Sequence, residues 1–478
     1  MSEKLEKYLL DAIGKEKSDL SDDNPYLDIA FDGDQKRLGW IESYSFSQIK
    51  EAIEDVLPLL EGKDNFIFIG MGGSINGIKP LIALFKAVNF FTLDSLDPKA
   101  LSNILDKIDN LEKTLIISIS KSGTTKETQL LTRTLREVFY EKSGDEEWQK
   151  YFLWISDLPA FGKLDSLGWS GVKKICIQFD RETDIGGRFS SPQTLIFILP
   201  LFLLLGSDFS KLKNTYESFA SLQPELRKQA CLLSAKYKDV DCAYFSPLTD
   251  KRLGQSLSSW VVQLFQESLG SKLDNLPVKT IPNLSNDNSF HPLALNVNID
   301  DPAVSLMSQM YFFQVFIAYY SAAKSINFVT QNYVEKYKNQ MRDLEGKTTD
   351  IESNGSVDIA SLIETVKSKI TSAQKFIEIV LYFHPDKGFI DEIRNEFSKN
   401  FSQRKIMVFI GSDWNHQSYQ AAFAAKDTFY VLLTLSNCKF KPPIAKTDLI
   451  KKNLDAMKLI AKATYLTIEE KSVFLSVL

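Results

Sequence analysis

The 478-residue chain is short of several groups on which enzyme chemistry often depends. It has three histidines, His291, His384 and His416, so a mechanism that needs an imidazole must choose among these. Its four cysteines, Cys176, Cys231, Cys242 and Cys438, are scattered, with no CxxC pair. That excludes a zinc-ligand spacing and a disulfide framework, and it predicts reduced thiols in a cytoplasmic protein. There is no excess of positive charge either. Against 56 Lys and Arg stand 61 Asp and Glu, a net charge of −5, which argues against a general nucleic-acid binder. Long apolar runs are also missing. The longest, Leu195 to Leu205, is too short to span a bilayer and holds Pro200, so a buried core helix and no membrane partner are expected. The opening residues, Met1 to Lys7, are charged and carry no apolar stretch, so no signal peptide is expected.

What the chain does have is two short polar segments, each directly after an apolar run. Gly70-Met71-Gly72-Gly73-Ser74 follows Phe66-Ile67-Phe68-Ile69, and Ser120-Lys121-Ser122-Gly123-Thr124-Thr125 comes shortly after Thr114-Leu115-Ile116-Ile117. Small residues let backbone N–H groups approach a ligand, hydroxyls add donors, and a helix beginning there turns its positive end to the ligand. Either segment alone would fit a turn or a capped helix start. Two of them, each after a strand, point to a site for one compact anion such as a phosphate monoester. Gly73, Ser74, Ser120, Lys121, Ser122 and Thr125 are its candidate ligands. The Walker pattern is absent, and the third glycine of a dinucleotide loop is missing.

Around these segments, short β-rich runs alternate with amphipathic stretches. Strands are predicted at Phe66–Gly70, Phe90–Leu93, Thr114–Ile119, Phe152–Ile155 and Lys174–Ile177. A second alternation, with strands at Cys242–Ser246 and Val278–Ile281, follows from about Leu212. The pattern predicts an α/β fold with parallel sheets covered by helices on both faces. The polar, Gly-containing stretch over residues 345–355 reads as a linker. Beyond it lies a third unit, with strands near Phe376–Tyr382, Lys405–Ile410 and Phe429–Leu435.

Three further segments carry chemistry. The glycine pair Gly186-Gly187 presents Arg188 from a sharp turn, and a guanidinium stays charged at any working pH and stabilises a developing enolate oxygen. Taken alone, such an arginine also fits a turn paired to a surface carboxylate. Gln263 and Glu267, four apart, share a helix face near its end, with Gly270 as the stop. A carboxylate there faces the unfavourable end of the helix dipole, which increases its basicity and suits a general base, although a solvated glutamate is the plainer alternative. Gln331, Glu335 and Lys338 stand on one stripe of a helix, which by spacing alone is a solvated face. His291 lies in a loop between the Glu267 and Lys338 segments, and its position in the chain makes it the best placed of the three histidines.

Together these segments resemble the glucose-6-phosphate isomerase family. Gly-x-Gly-Gly-Ser, Ser-Lys-Ser-Gly-Thr-Thr-x-Glu-Thr, Gly-Gly-Arg-Phe-Ser and Gln-x-x-x-Glu-Ser-x-Gly occur in that order over roughly residues 45–340. The family's Phe-Asp-Gln-x-Gly-Val-Glu-x-x-Lys run is matched by Val329 to Lys338, where Gln, Val, Glu and Lys are kept. Its histidine usually follows an Asp-Gln or Gly-Gln pair directly, whereas here two residues separate Asp287-Asn288 from His291. Residues 346–478 resemble the segment that trails the isomerase half of transaldolase–isomerase fusions.

The resemblance implies two sugar-isomerase-type, doubly wound domains over 46–210 and 211–345. A helical lead-in over 1–45 and a smaller C-terminal α/β domain over 346–478 would complete the chain. It implies interconversion of glucose 6-phosphate and fructose 6-phosphate, in glycolysis and gluconeogenesis, by a cytoplasmic homodimer without metal or organic cofactor. Glu267 would move a proton between C2 and C1 through a cis-enediol(ate), and Arg188 would stabilise its oxygens. Gln263 and Gln331 would orient substrate and base, and His291 and Lys338 would help open the ring. A non-catalytic sugar-phosphate-binding module and an isomerase that also takes mannose 6-phosphate are the alternatives.

Overall fold

The computed structural model describes residues 2–143, 147–253, 256–270, 276–284, 287–345, 355–436 and 447–477. Most of the linker expected over 345–355, and Cys438, lie outside the described residues. The chain divides into two compact units, and neither is a single stretch. Met1–Thr92, Glu112–Thr125 and Gln149–Gln331 form the first, while Leu93–Leu111, Lys126–Trp148 and Asn332–Leu478 form the second. This division does not run along the chain as boundaries at 45, 210 and 345 would. The helices Pro98–Leu105 and Lys126–Ser143, which connect strands of the first unit, belong to the second. They are bonded into it. The Asp97 carboxylate at the head of one accepts from the His384 amide at 2.7 Å, and Thr134 of the other accepts from Asn453 at 3.2 Å.

In the first unit a small antiparallel hairpin, β1 (Phe31–Asp32) and β2 (Gln35–Lys36), precedes the main sheet. That sheet contains β3 (Asn65–Ile69), β4 (Phe90–Leu93), β5 (Thr114–Ile119), β6 (Phe152–Ser156) and β7 (Lys173–Cys176), in the order β4-β3-β5-β6-β7. From β3 to β7 the pairing is parallel, with Phe66 opposite Leu115, Ile116 opposite Phe152 and Ile155 opposite Ile175. The central strands β5 and β6 are buried throughout, as expected of a parallel sheet covered on both faces. The strand that starts the sheet, β3, has β4 on one side and β5 on the other. The strand order therefore reverses at β3, and the crevice beyond the carboxyl ends of β3 and β5 is where such sheets take ligands. Both polar segments leave the sheet there.

A smaller parallel sheet follows, with β8 (Ala243–Pro247), β9 (Val278–Thr280) and β10 (His291–Leu293) in the order β10-β8-β9. His291 is thus the first residue of a strand, opposite Phe245, and not a loop residue. Beside it run two long helices, Phe209–Lys236 and Pro302–Lys324. The second is capped by the Asp301 carboxylate, which accepts from the Ala303 and Val304 amides, and it is buried nearly all round. Arg227 of the first donates to the Tyr311 hydroxyl of the second at 3.0 Å. The apolar run Leu195–Leu204 is the expected buried helix, with Pro200 inside it. No helix among the described residues is long and apolar enough to cross a membrane.

The second unit holds a five-stranded parallel sheet of β11 (Ser356–Val357), β12 (Phe376–Leu381), β13 (Lys405–Ile410), β14 (Thr428–Leu435) and β15 (Ser472–Val477). Its order is β11-β15-β14-β12-β13. The expected strands β12, β13 and β14 are present. The C-terminal strand β15, which pairs with β14 along Tyr430 to Leu435, is an addition to those expected. Among the described residues this sheet has five strands, against three in that of β8 to β10. Its core joins Ile377, Ile379 and Leu381 to Phe429, Val431, Leu433, Val473 and Phe397. The chain leaves β13 through Gly411, which is pressed against Tyr382, and a Cβ there would lie 2.9 Å from the Tyr382 Cα. Gly411→Ala is expected to destabilise this unit by about 1–3 kcal/mol through that overlap, read as a lowered urea midpoint.

Candidate active site

The helix Ser258–Leu269 brings its last turn to the centre of the first unit, and Glu267 there is buried with 6% exposure. Three side chains converge on its carboxylate. Gln263, one turn earlier, donates to Oε2 at 2.9 Å, as the four-residue spacing requires. Gln331 donates to Oε1 from the other side. The Arg188 guanidinium lies 3.3 Å from Oε1 and is itself only 2% exposed. Arg188 is fixed twice more, by the Ser268 hydroxyl at 2.7 Å and by the Phe328 carbonyl. Burial lowers the pKa of this guanidinium, and Glu267 counteracts it. The arginine that sequence assigns to substrate oxygens is therefore also the counter-charge of the candidate base.

The glycine-rich segment closes onto this cluster. After β3 the chain makes a 3-10 turn over Gly72–Ser74, and Gly72 has a φ of 54°, open to glycine at little cost. Gly73 lies against the Gly187-Arg188 peptide. A Cβ on it would overlap the Gly187 carbonyl and sit 2.7 Å from the Arg188 nitrogen. Two residues beyond Ser74, Asn76 donates to Gln263 at 3.2 Å and accepts from Lys79 at 2.8 Å. Asn76 and Ser268 are site residues that sequence reasoning misses. Asn76 follows a Gly-rich strand exit, and Ser268 adjoins Glu267, so position is the available signal for both.

In the hydroxyl-rich segment, Ser120 and Thr125 share a hydrogen bond of 2.9 Å, as do Ser122 and Thr124. The Gly123 amide bonds back to the Ser120 carbonyl at 3.1 Å, which shapes the segment as a tight loop. Lys121 departs from expectation. Its amine donates to the carbonyls of Thr183 and Ile185, at 3.1 and 2.6 Å, and lies 3.7 Å from Asp157. Those partners make it a strut between the loop and the 183–185 segment. Burial lowers its pKa, with Asp157 opposing. Burial likewise raises the Asp157 carboxyl to about 6, with Lys121 opposing.

Of the two remaining expected residues, His291 is in the first unit and Lys338 in the second. His291 packs against Tyr237, with ring centroids 4.9 Å apart and planes tilted by 33°, and lies beside Phe245; burial and Lys236 lower its pKa. Lys338 belongs to the second unit, on the helix Val334–Leu344, where it pairs with Glu335 at 3.0 Å. In that same unit Glu127 and His416, neither assigned a role from sequence, are joined at 3.1 Å. Among the described residues there is no group of three or more His, Cys, Asp or Glu side chains able to hold a metal ion.

Residues 61–221, which span the glycine-rich segment, the hydroxyl loop and Arg188, match the family model of phosphoglucose isomerase. Over that stretch the chain is similar to the phosphoglucose isomerase family. A glucose-6-phosphate isomerase of Thermus thermophilus is 30% identical over 244 residues, covering 49% of this chain and 55% of the relative. One of Campylobacter jejuni is 31% identical over 233 residues, covering 46% and 54%. The chain thus spans about half the length of the curated relatives it matches. Among solved structures, a hypothetical protein from Thermus thermophilus superposes with a TM-score of 0.51 at 21% identity, over 72% of this chain and 95% of the other. A glucose-6-phosphate isomerase from Chlamydia trachomatis superposes with a TM-score of 0.50 at 14% identity, over 72% and 78%. These likenesses agree with the fold described above.

Within the family segment, Gly73→Ala is expected to force the glycine-rich turn off the Arg188 turn, with a loss of about 1–3 kcal/mol in chemical denaturation. Asp157 titrates at about 6 in the folded chain against 3.8 for an unperturbed carboxyl. The folded state therefore holds the proton more tightly, and this group's contribution to stability falls as pH rises from about 4 through 6. Asp157→Asn removes that loss, so the variant should gain on the order of 1–2 kcal/mol relative to the parent between pH 4 and pH 7, read by urea unfolding at both.

Proposed function

We propose that this chain interconverts glucose 6-phosphate and fructose 6-phosphate by acid–base proton transfer. The observation that carries the reading is the buried Glu267 carboxylate, gripped by Gln263, Gln331 and Arg188 in a segment order shared with the phosphoglucose isomerase family. The names of the relatives, glucose-6-phosphate isomerase, support the same substrate pair.

In this reading the hydroxyls of Ser74, Ser120, Ser122 and Thr125, with the Gly73 amide, hold the phosphate at the crevice beyond β3 and β5. Binding at that end positions C1 and C2 of the open sugar. Glu267 takes the proton from C2 of the aldose and returns it to C1, through a cis-enediol(ate), to give the 2-ketose. Arg188, the neighbour of Glu267, offsets the charge that develops on the enediolate oxygens. Gln263 and Gln331 hold the base in line, and a base fixed by two amides loses little freedom when the substrate arrives. The cytoplasmic, homodimeric state implied by the family resemblance belongs to the same proposal.

A coupled assay that converts fructose 6-phosphate to glucose 6-phosphate tests the reading, and absence of turnover at high enzyme concentration would leave a sugar-phosphate-binding module. Glu267→Gln keeps the size of the side chain and should lower turnover by about 1,000-fold while sugar-phosphate binding stays within about threefold. Ser122→Ala should instead raise KM with little change in kcat, and a change confined to kcat would remove Ser122 from the phosphate site.

A further inference from the structure

The Glu267 carboxylate stands at the end of a row of side chains that begins at a lysine. Lys79, half-buried on the helix Ile78–Phe85, donates from Nζ to Oδ1 of Asn76 at 2.8 Å. Asn76, fully buried, donates from Nδ2 to Oε1 of Gln263 at 3.2 Å. Gln263, also buried, donates from Nε2 to Oε2 of Glu267 at 2.9 Å. All four residues belong to the first unit. The row has one direction, because every donor points toward the carboxylate.

That direction is fixed by its two ends. An ammonium has three donors and no acceptor, and an ionised carboxylate has acceptors and no donor. Between them stand two primary amides, each with an oxygen and a nitrogen of nearly equal size, so either could turn over without a change of shape. Lys79 requires the oxygen of Asn76 on its side, which leaves the Asn76 nitrogen for Gln263. A nitrogen there requires the oxygen of Gln263, which leaves the Gln263 nitrogen for Glu267. Turned over, Gln263 would set its oxygen against the carboxylate, and two negative groups would face each other in a buried site. The backbone supports the arrangement, since the Asn76 N–H bonds to the Gly72 carbonyl at 2.9 Å and gives the side chain a fixed origin in the glycine-rich turn.

The two oxygens of Glu267 are served differently. Oε1 faces a cation directly, with the Arg188 guanidinium 3.3 Å away, and it also accepts from Gln331. Oε2 meets a cation at a distance, through two amides that Lys79 polarises in the same sense. The four-residue spacing brings the Gln263 amide to Glu267, but helix geometry does not choose which end of the amide arrives. Asn76 and Lys79 make that choice.

We infer that Asn76 and Lys79 are positioning residues for the proton transfer. By fixing which end of the Gln263 amide faces Glu267, they keep a donor on Oε2 and hold the base in one orientation while it takes the proton from C2 and returns it to C1. Both act through Gln263 and not on the sugar. This rests on the acid–base reading above.

Asn76→Leu keeps much of the side-chain volume and removes the relay. It should lower kcat about tenfold and leave KM within about threefold, as the loss of one hydrogen bond to a charged base does. Lys79→Met should lower kcat about fivefold, again with little change in KM. In a Gln263→Leu background both changes should lose their effect and stay within about twofold of that single variant, because they act through an amide that is no longer there. Losses that multiply in the double variants, a loss confined to KM, or a kcat of Asn76→Leu within about twofold of the parent would each overturn the proposal. If Asn76→Leu does not fold, Lys79→Met decides by the same measures.

A second measurement does not need turnover. The side-chain amide of Gln263, observed by NMR in protein with isotope-labelled glutamine and assigned by its absence from Gln263→Leu, should exchange with solvent about tenfold faster in Lys79→Met than in the parent. Unchanged exchange overturns the relay whether or not the parent is active. Absence of fructose 6-phosphate turnover in a parent whose exchange responds as expected removes the isomerase reading and the proton-transfer task with it, while the orientation of Gln263 by Asn76 and Lys79 stands.

Discussion

A guanidinium and a carboxylate buried together at the end of one helix set the terms for the rest of the first unit. Neither Arg188 nor Glu267 has water to fall back on, so each must be compensated from within. Breaking such a pair by removing one partner costs about 3–5 kcal/mol, because the other charge is stranded. The surrounding structure meets this demand with Gln263 and Gln331 on the carboxylate, and Ser268 and the Phe328 carbonyl on the guanidinium. A charge held this way resists collapse onto water and remains available to a substrate that enters the site.

That demand extends to the backbone. Arg188 comes from a turn, and a turn holds a guanidinium in place only if something holds the turn. The glycine-rich segment does so by packing Gly73 against the Gly187-Arg188 peptide, a contact that leaves no room for a side chain. Lys121 serves the hydroxyl loop similarly, by reaching the carbonyls of the 183–185 segment that leads to the same turn. The hydroxyl loop, the glycine-rich segment and the Arg188 turn are thus braced against one another. The second unit repeats the approach with largely neutral groups, where Glu378, Trp414, Asn415, Tyr382 and Thr464 fix the backbone around His416.

Much of the fold is legible in sequence because its strands are short apolar runs bounded by polar turns, and their periodicity differs plainly from that of the helices. β3 to β7, β8, β9 and β12 to β14 fall within a residue or two of where hydrophobicity places them. β15, Ser472–Val477, is hidden because its serines interrupt the apolar run, and only pairing with β14 makes it a strand. His291 has the sequence surroundings of a loop residue, with proline and polar neighbours; its pairing with Phe245 is a long-range fact. The site is legible where its chemistry is local, as in the i, i+4 pair Gln263 and Glu267. It is illegible where partners come from distant segments, as with Gln331 on Glu267 or Glu127 on His416.

The sequence by itself determined the parallel α/β architecture, the two polar segments at strand ends, and the choice of Arg188 and Glu267 as the arginine and glutamate of the candidate site. Each of these depends on residue type and spacing over a few turns. Tertiary structure alone decided that Lys121 braces a loop, that Arg188 is the counter-charge of Glu267, and that the partly buried imidazole paired with a carboxylate is His416. The physical reason is the same in each case. A long polar side chain has several partners within reach, and which one it takes depends on which carbonyl or carboxylate burial has left without water.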